Sequence, residues 1–264
     1  MSTSSTTPAS SKTPAGQCVV CGKETYLRCG PCNRFGTDWM FFCSIEHQQL
    51  IWKRHRHVCG PRSKPFQFPE FNQSEIEECK KYVLYPVLED GRQTGKTQLD
   101  TLYDGFFKGN FTNFGILVDS LREGGEASSS FKDEFSLLCD LRAWLFDMRV
   151  HSAIHENPLL SRSGQLLRHN TKAHPFDWIA RWVRDLDRDG DYSSSGPAWT
   201  SEFLHRQLIF HYLLEQLGDD HPYTRSAYKR IAELAEQVIQ KTHPRLAERL
   251  LEKKATRERV SMRK

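Results

Sequence analysis

Long apolar runs are missing from this chain of 264 residues; none approaches the ~20 residues a membrane helix requires. The N-terminus, MSTSSTTPASSKTPAG, carries no apolar segment of the kind a secretory leader needs. It reads instead as a disordered Ser/Thr/Pro-rich arm over residues 1–16. The expected setting is therefore intracellular, in nucleus or cytoplasm, where thiols stay reduced. A dominant charge sign is also lacking. The net +4 conceals eight Lys/Arg against three acids in 17–64, nine against three in 241–264, and 19 against 27 between them. Basic ends flank an acidic middle, so the overall basicity does not by itself argue for a nucleic-acid partner. Catalytic signatures are scarce too: no nucleophile–base pair and no Gly-rich cofactor loop stands out, and no enzyme is expected.

Cysteine, by contrast, is concentrated. Six of the eight cysteines fall within 42 consecutive residues: Cys18-x2-Cys21-x7-Cys29-x2-Cys32-x10-Cys43-x3-His47-x7-His55-x3-Cys59. A Cys-x2-Cys turn aims two thiolates at one ion, a loop geometry that zinc sites reuse. Cys43/His47 and His55/Cys59 are each four apart, which stacks them one helical turn above the other. The stretch SIEHQQLIWKRHRHV, from Ser44 to Val58, has no Pro or Gly and places Ser44 as its cap, so it predicts a helix. His57 lies two residues from Cys59 and points off that face, which leaves His55 as the ligand. A disulfide framework is the alternative use of an even cysteine count. The reduced setting, the two histidines and the Lys/Arg-rich surroundings favour metal. Four pairs supply eight ligands for two tetrahedral zinc ions. Whether each ion takes consecutive or interleaved pairs is not decided by spacing.

The run resembles a MYND finger. The resemblance rests on the two Cys-x2-Cys pairs, Phe42-Cys43-Ser44 where the family usually has Tyr-Cys-Ser, Gln48, and Trp52-x2-His55-x3-Cys59. It implies interleaved sites: Cys18, Cys21, Cys43 and His47 for one ion, Cys29, Cys32, His55 and Cys59 for the other. His47 stands where the family usually has cysteine, and the loop from Asn33 to Phe42 is longer than usual. The resemblance also implies a short hairpin plus helix that takes up short proline-containing peptides by strand addition. The positions matching the family's peptide contacts are Gln48 and Trp52, with Tyr26-Leu27-Arg28 as an edge strand. Trp52 packed beneath the zinc helix is the bland alternative. Eight protein ligands leave no open position on either ion, which makes both structural. A module this small depends on metal for its fold.

Beyond the finger (17–60), PRSKPFQFPEF reads as a proline-punctuated linker over 61–72. The remainder reads as mainly all-α, with a helical domain over 73–240 and a basic C-terminal helix and tail over 241–264. Ser74 and Glu77 fit a capping box before IEECKKYVLYPVL. Residues 131–154 place Phe135, Leu138, Cys139, Leu141, Leu145 and Phe146 on one stripe. Further helices are expected near 176–186, 199–217, 222–240 and 244–258, and Cys79 and Cys139 as core residues. Residues 217–238 faintly resemble one half of a tetratricopeptide-type helix pair, with no second copy. Asp185-x-Asp187-x-Asp189-Gly190 begins like a calcium loop but has Gly196 where the bidentate acid belongs. Gly91-Arg-Gln-Thr-Gly95-Lys96-Thr97 is one residue short of a phosphate loop and reads as an ordinary loop.

The expected function is a zinc-dependent protein–protein interaction adaptor or transcriptional co-regulator recruiting short proline-containing peptides. Two alternatives stand beside it. A methyltransferase-like enzyme is opposed by the 17 residues before Cys18 and by the missing Asn-His-Ser-type cofactor motif. A DNA-binding regulator would use the basic patch Lys53, Arg54, Arg56, Arg62 and Lys64, which otherwise reads as a solvated helix face.

Overall fold

The computed structural model describes residues 15–89, 92–102, 114–121, 134–156, 175–187, 199–245, 247–248 and 251. Within the finger, β1 (Gly16–Gln17) pairs antiparallel with β2 (Glu24–Thr25). Phe41 then bridges both Cys18 and Arg28, tying the two zinc loops together. Its ring runs so close to Gly16 that an added Cβ would meet ring atoms at 2.3 Å, which restricts that position to glycine. The expected strand at Tyr26–Arg28 is reduced to the single Arg28–Phe41 bridge.

Helix α1 (Gly30–Arg34) carries Cys32, and α2 (Ile45–His55) is the predicted zinc helix. Ser44 caps α2 as expected, accepting from the His47 N–H at 3.4 Å. The helix tightens into a 3-10 turn at Arg56–Val58, so Cys59 leaves the helical register.

Residues 61–72 are no loose spacer. Phe66, Phe68 and Phe71 are buried, the Phe66 N–H donates to Ser201 Oγ at 2.9 Å, and the Phe71 N–H donates to Leu121 O at 3.0 Å. Prolines prevent regular structure there, while three phenylalanines supply apolar area worth roughly 1.5–3 kcal/mol each when buried. The strap therefore joins finger and helices into one continuous core.

Helix α3 (Gln73–Tyr82) does begin with a capping box, but at Asn72 and Glu75, two residues before the expected Ser74 and Glu77. Asn72 Oδ1 accepts from the Glu75 N–H at 3.1 Å, and the Asn72 N–H donates to Glu75 Oε2 at 3.0 Å. Glu75 also faces inward to a buried arginine, and that contact selects the register. Replacing Asn72 with Ala is expected to lower stability by about 1 kcal/mol, read by chemical denaturation of the zinc-loaded protein.

The sequence reading missed an antiparallel hairpin between β3 (Pro86–Glu89) and β4 (Arg92–Thr97). The Gly91–Thr97 loop is therefore largely strand. Most of β4 is exposed, so no period-2 apolar signal exists to announce it. Short helices α4 (Gln98–Leu102) and α5 (Phe114–Ser120) follow.

The helical body is built from α6 (Glu134–Glu156), α7 (Pro175–Asp187), α8 (Trp199–Leu217) and α9 (Pro222–Leu234). Leu138, Cys139, Leu141, Leu145 and Phe146 are buried on α6 as expected, as is Cys79 on α3. The Phe135 side chain lies outside the described residues. Gly218, at φ 83°, ends α8, its N–H returning to Leu214 O at 3.0 Å. Helix α9 passes into a π-helical turn at Ala235–Ile239 and a further turn at Gln240–Thr242, and the described residues 244, 245, 247, 248 and 251, inside the expected 244–258 helix, are helical as well. Asp185 and Asp187 fall on α7, while the remainder of the calcium-like motif and the basic tail beyond residue 251 lie outside the described residues. Among the described residues no helix is long and apolar enough to cross a membrane.

Candidate metal centre

The fold gathers the eight ligands into two clusters, Cys18/Cys21/Cys43/His47 and Cys29/Cys32/His55/Cys59, with the donor atoms of each within 4.8 Å of one another. The interleaved arrangement follows from chain path: Phe41 brings the start of α2 back to the first loop, and the end of α2 reaches the second. In the first cluster Cys18 Sγ lies 3.5 Å from His47 Nδ1, Cys21 Sγ 3.5 Å from Cys43 Sγ, and Cys43 Sγ 3.1 Å from His47 Nδ1. In the second, His55 Nε2 lies 3.4 Å from both Cys29 and Cys32, and Cys59 Sγ lies 3.5 Å from both. A tetrahedral ion with Zn–S near ~2.3 Å sets sulfur–sulfur edges of about 3.8 Å, within a few tenths of these spacings. None of the six finger cysteines is in a disulfide. The donor set, its spacing and its burial fit two structural zinc ions.

Electrostatics points the same way. The His55 imidazole is buried, which disfavours its charge, yet the Cys29 and Cys32 sulfurs beside it hold its pKa up at about 9. Hydrogen bonds from Cys32 and Cys59 pull the Cys29 thiol far down, while the contacts of Cys59 with Cys29 and Cys32 push Cys59 far up. Burial, reinforced by Cys21, raises Cys43 to about 12. Donors packed this tightly cannot all ionise by themselves; a divalent cation replaces the shared protons and lets every thiol bind as thiolate.

The helical body contributes to both clusters, and sequence reasoning did not foresee it. His205 of α8 lies beside His55, with ring centroids 6.1 Å apart. Burial first, and then the charge on His55, lower the pKa of His205 to about 4 and keep it neutral. Its Nδ1 lies 2.9 Å from Ser201 O and its Nε2 3.4 Å from Val58 O, next to the ligand Cys59. Tyr223 of α9 meets the His47 ring edge-on at 4.8 Å. No local sequence signal marks either residue, because each acts across the fold.

His57 lies off the second cluster, as expected, edge-on to Phe176 at 6.2 Å. Gln48 and Trp52 share one face of α2 with Ile45. Trp52 is 42% exposed, so it does not lie beneath the helix, although its ring meets His55 at 6.0 Å. Tyr26 and Leu27 are exposed as well, and Leu27 O accepts from the Phe42 N–H at 2.9 Å, just before α2.

Three of the five basic-patch residues make contacts within the protein, while Lys53 and Arg56 are exposed. Arg54 reaches Glu215 at 3.6 Å and lies over the Tyr212 ring; Arg62 pairs with Glu70 at 2.9 Å; Lys64 donates to Gly36 O at 3.0 Å and lies over Trp39. The Arg54, Arg62 and Lys64 charges, held this way, are less free to reach phosphates.

Residues 18–59 match the MYND finger family, a protein-interaction domain. Similar curated proteins are Egl nine homolog 1 of Mus musculus, 43% identical over 53 residues, and Egl nine homolog 1 of Homo sapiens, 40% identical over 53 residues. Those matches cover 18% and 20% of this chain and only 12% and 11% of the relatives, so the likeness is confined to the finger. No solved structure matches the chain.

Proposed function

We propose that the chain is a non-enzymatic, intracellular adaptor or co-regulator whose finger recruits short proline-containing peptides. The observation that supports this reading is a set of exposed apolar side chains on the finger. Tyr26 is 61% exposed, Leu27 58%, Ile45 66% and Trp52 42%. An aromatic on a metal-ligated helix, together with an exposed extended segment on the same finger, suits an extended partner. Proline would pack on Trp52, and Gln48 would supply an amide to the peptide backbone. Turnover finds no support in the finger, because each ion has four protein ligands and no position for a reacting water.

The test is selection of the zinc-loaded chain against a displayed library of random peptides, followed by calorimetry on the enriched sequences. The expected winners contain proline, and Trp52→Ala is expected to weaken them by roughly 30-fold, the cost of losing a central aromatic anchor. Winners without proline, or unchanged affinity in Trp52→Ala at unchanged zinc content, would refute the assignment.

A further inference from the structure

Arg230 on α9 is buried, 5% exposed. Its Nη2 donates to Val19 O at 2.9 Å, and Val19 sits inside the first zinc loop, between the ligands Cys18 and Cys21. The approach is close enough that a Cβ on Gly22, the residue after Cys21, would stand 2.7 Å from Nη1. Gly22 has φ 78°, so the loop turns there in a conformation that favours glycine and presses its backbone onto the guanidinium.

A buried guanidinium needs a compensating negative charge, since one carbonyl does not balance a full positive charge taken out of water. Among the described residues no carboxylate forms an ion pair with Arg230. Its neighbour Arg206 makes matters worse: Arg206 Nη1 donates to Arg230 O at 2.7 Å, and its own charge is matched by Glu202. Zinc with three thiolates and a neutral imidazole carries a formal −1. The first cluster thus offers such a negative charge.

We infer that Arg230 is the counter-ion of the first zinc cluster, a positioning residue through which α9 and the Cys18/Cys21 loop hold each other in place. Burial, followed by Arg206, lowers the pKa of Arg230 to about 10, and the Cys18 and Cys21 sulfurs act against them more strongly than Glu233 does. Tyr223, two turns earlier on the same face of α9, meets His47 of the same cluster edge-on. The helical body therefore completes the outer shell of the metal site, and loss of that shell selectively weakens one ion. The inference is independent of peptide binding.

The test uses the full zinc-loaded chain with a fixed excess of chelator and N-ethylmaleimide, and follows alkylation of each cysteine by mass spectrometry. In Arg230→Met, Cys18, Cys21 and Cys43 are expected to react about 10- to 100-fold faster, the usual cost of removing an outer-shell partner. Cys29, Cys32 and Cys59 should keep wild-type rates, and Arg230→Lys should restore most of the protection. Wild-type rates at both clusters would overturn the inference. So would equal acceleration of both clusters, which marks general loosening, or a Lys variant no better protected than the Met variant. If Arg230→Met does not fold, Arg230→Gln set against Arg230→Lys decides by the same measurement.

Discussion

Replacing Cys32 with Ser is expected to reduce the zinc content from two ions per chain to one and to unfold the second half of the finger. Cys32 is fully buried, and its sulfur lies against His55, Cys59 and the Gly60 N–H. Structural zinc in small fingers contributes roughly 10–16 kcal/mol of apparent binding energy, comparable to the whole stability of a typical domain. Loss of the second ion therefore cannot stay local. His55 is the last residue of α2, Val58 O faces His205, and the adjoining strap is pinned to Ser201. Released from zinc, these contacts should open and expose Phe66 and the face of α8 that they cover. Metal analysis, amide exchange over α2 and α8, and binding of a hydrophobic dye check the sequence of events. Full zinc content, or undisturbed protection of α2 in Cys32→Ser, would contradict it.

The metal site was legible because chelation is a local demand on spacing. All eight ligands were readable, together with the Ser44 cap and the off-face position of His57, since each depends on residues within a helical turn or a tight loop. The pairing came from resemblance and is now explained by Phe41, whose bridges to Cys18 and Arg28 cross the chain path. The long helices were legible for a related reason: a buried face repeats every three to four residues regardless of what it packs against. What stayed hidden depends on distant partners. His205 meets Val58 across 147 residues and Arg230 meets Val19 across 211, so nothing nearby in the chain marks them. The strap looked like a linker because prolines outvote phenylalanines in a local reading, whereas burial decides in the fold. The hairpin at 86–97 was invisible for the opposite reason, having little buried face to imprint a pattern.

The same long-range logic sets the second large effect, at Arg142. This side chain is 1% exposed and uses its whole fork. Nη1 donates to Glu75 and Asp177 at 3.0 Å each, Nε to Pro69 O at 3.1 Å, and Nη2 to Pro69 O at 2.8 Å and Glu70 O at 3.0 Å. Asp177 and Glu78 are also held by Arg149, so one buried network ties α6 to α3, α7 and the strap. Arg142→Met preserves much of the volume but leaves Glu75 short of its partner, and is expected to destabilise the protein by about 3–5 kcal/mol at pH 7. The pH dependence fixes the cause. In the parent, burial tends to raise the Glu75 carboxyl, but the Arg142 charge, the Asn72 N–H, the hydrogen bond from Arg142 and the Arg149 charge together outweigh it and hold the pKa below the ordinary value. That contribution is present above the unfolded pKa and is lost as pH falls through the folded one. In the variant, burial and the neighbouring Asp177 charge raise the Glu75 pKa instead, so acid favours its folded state. The stability gap between parent and variant should therefore narrow as pH is lowered from 7 toward 5, in denaturation series run at both values with zinc content matched. A gap that stays constant would mean that Arg142 acts through packing against Phe71, 4.6 Å from its ring centroid, and not through charge.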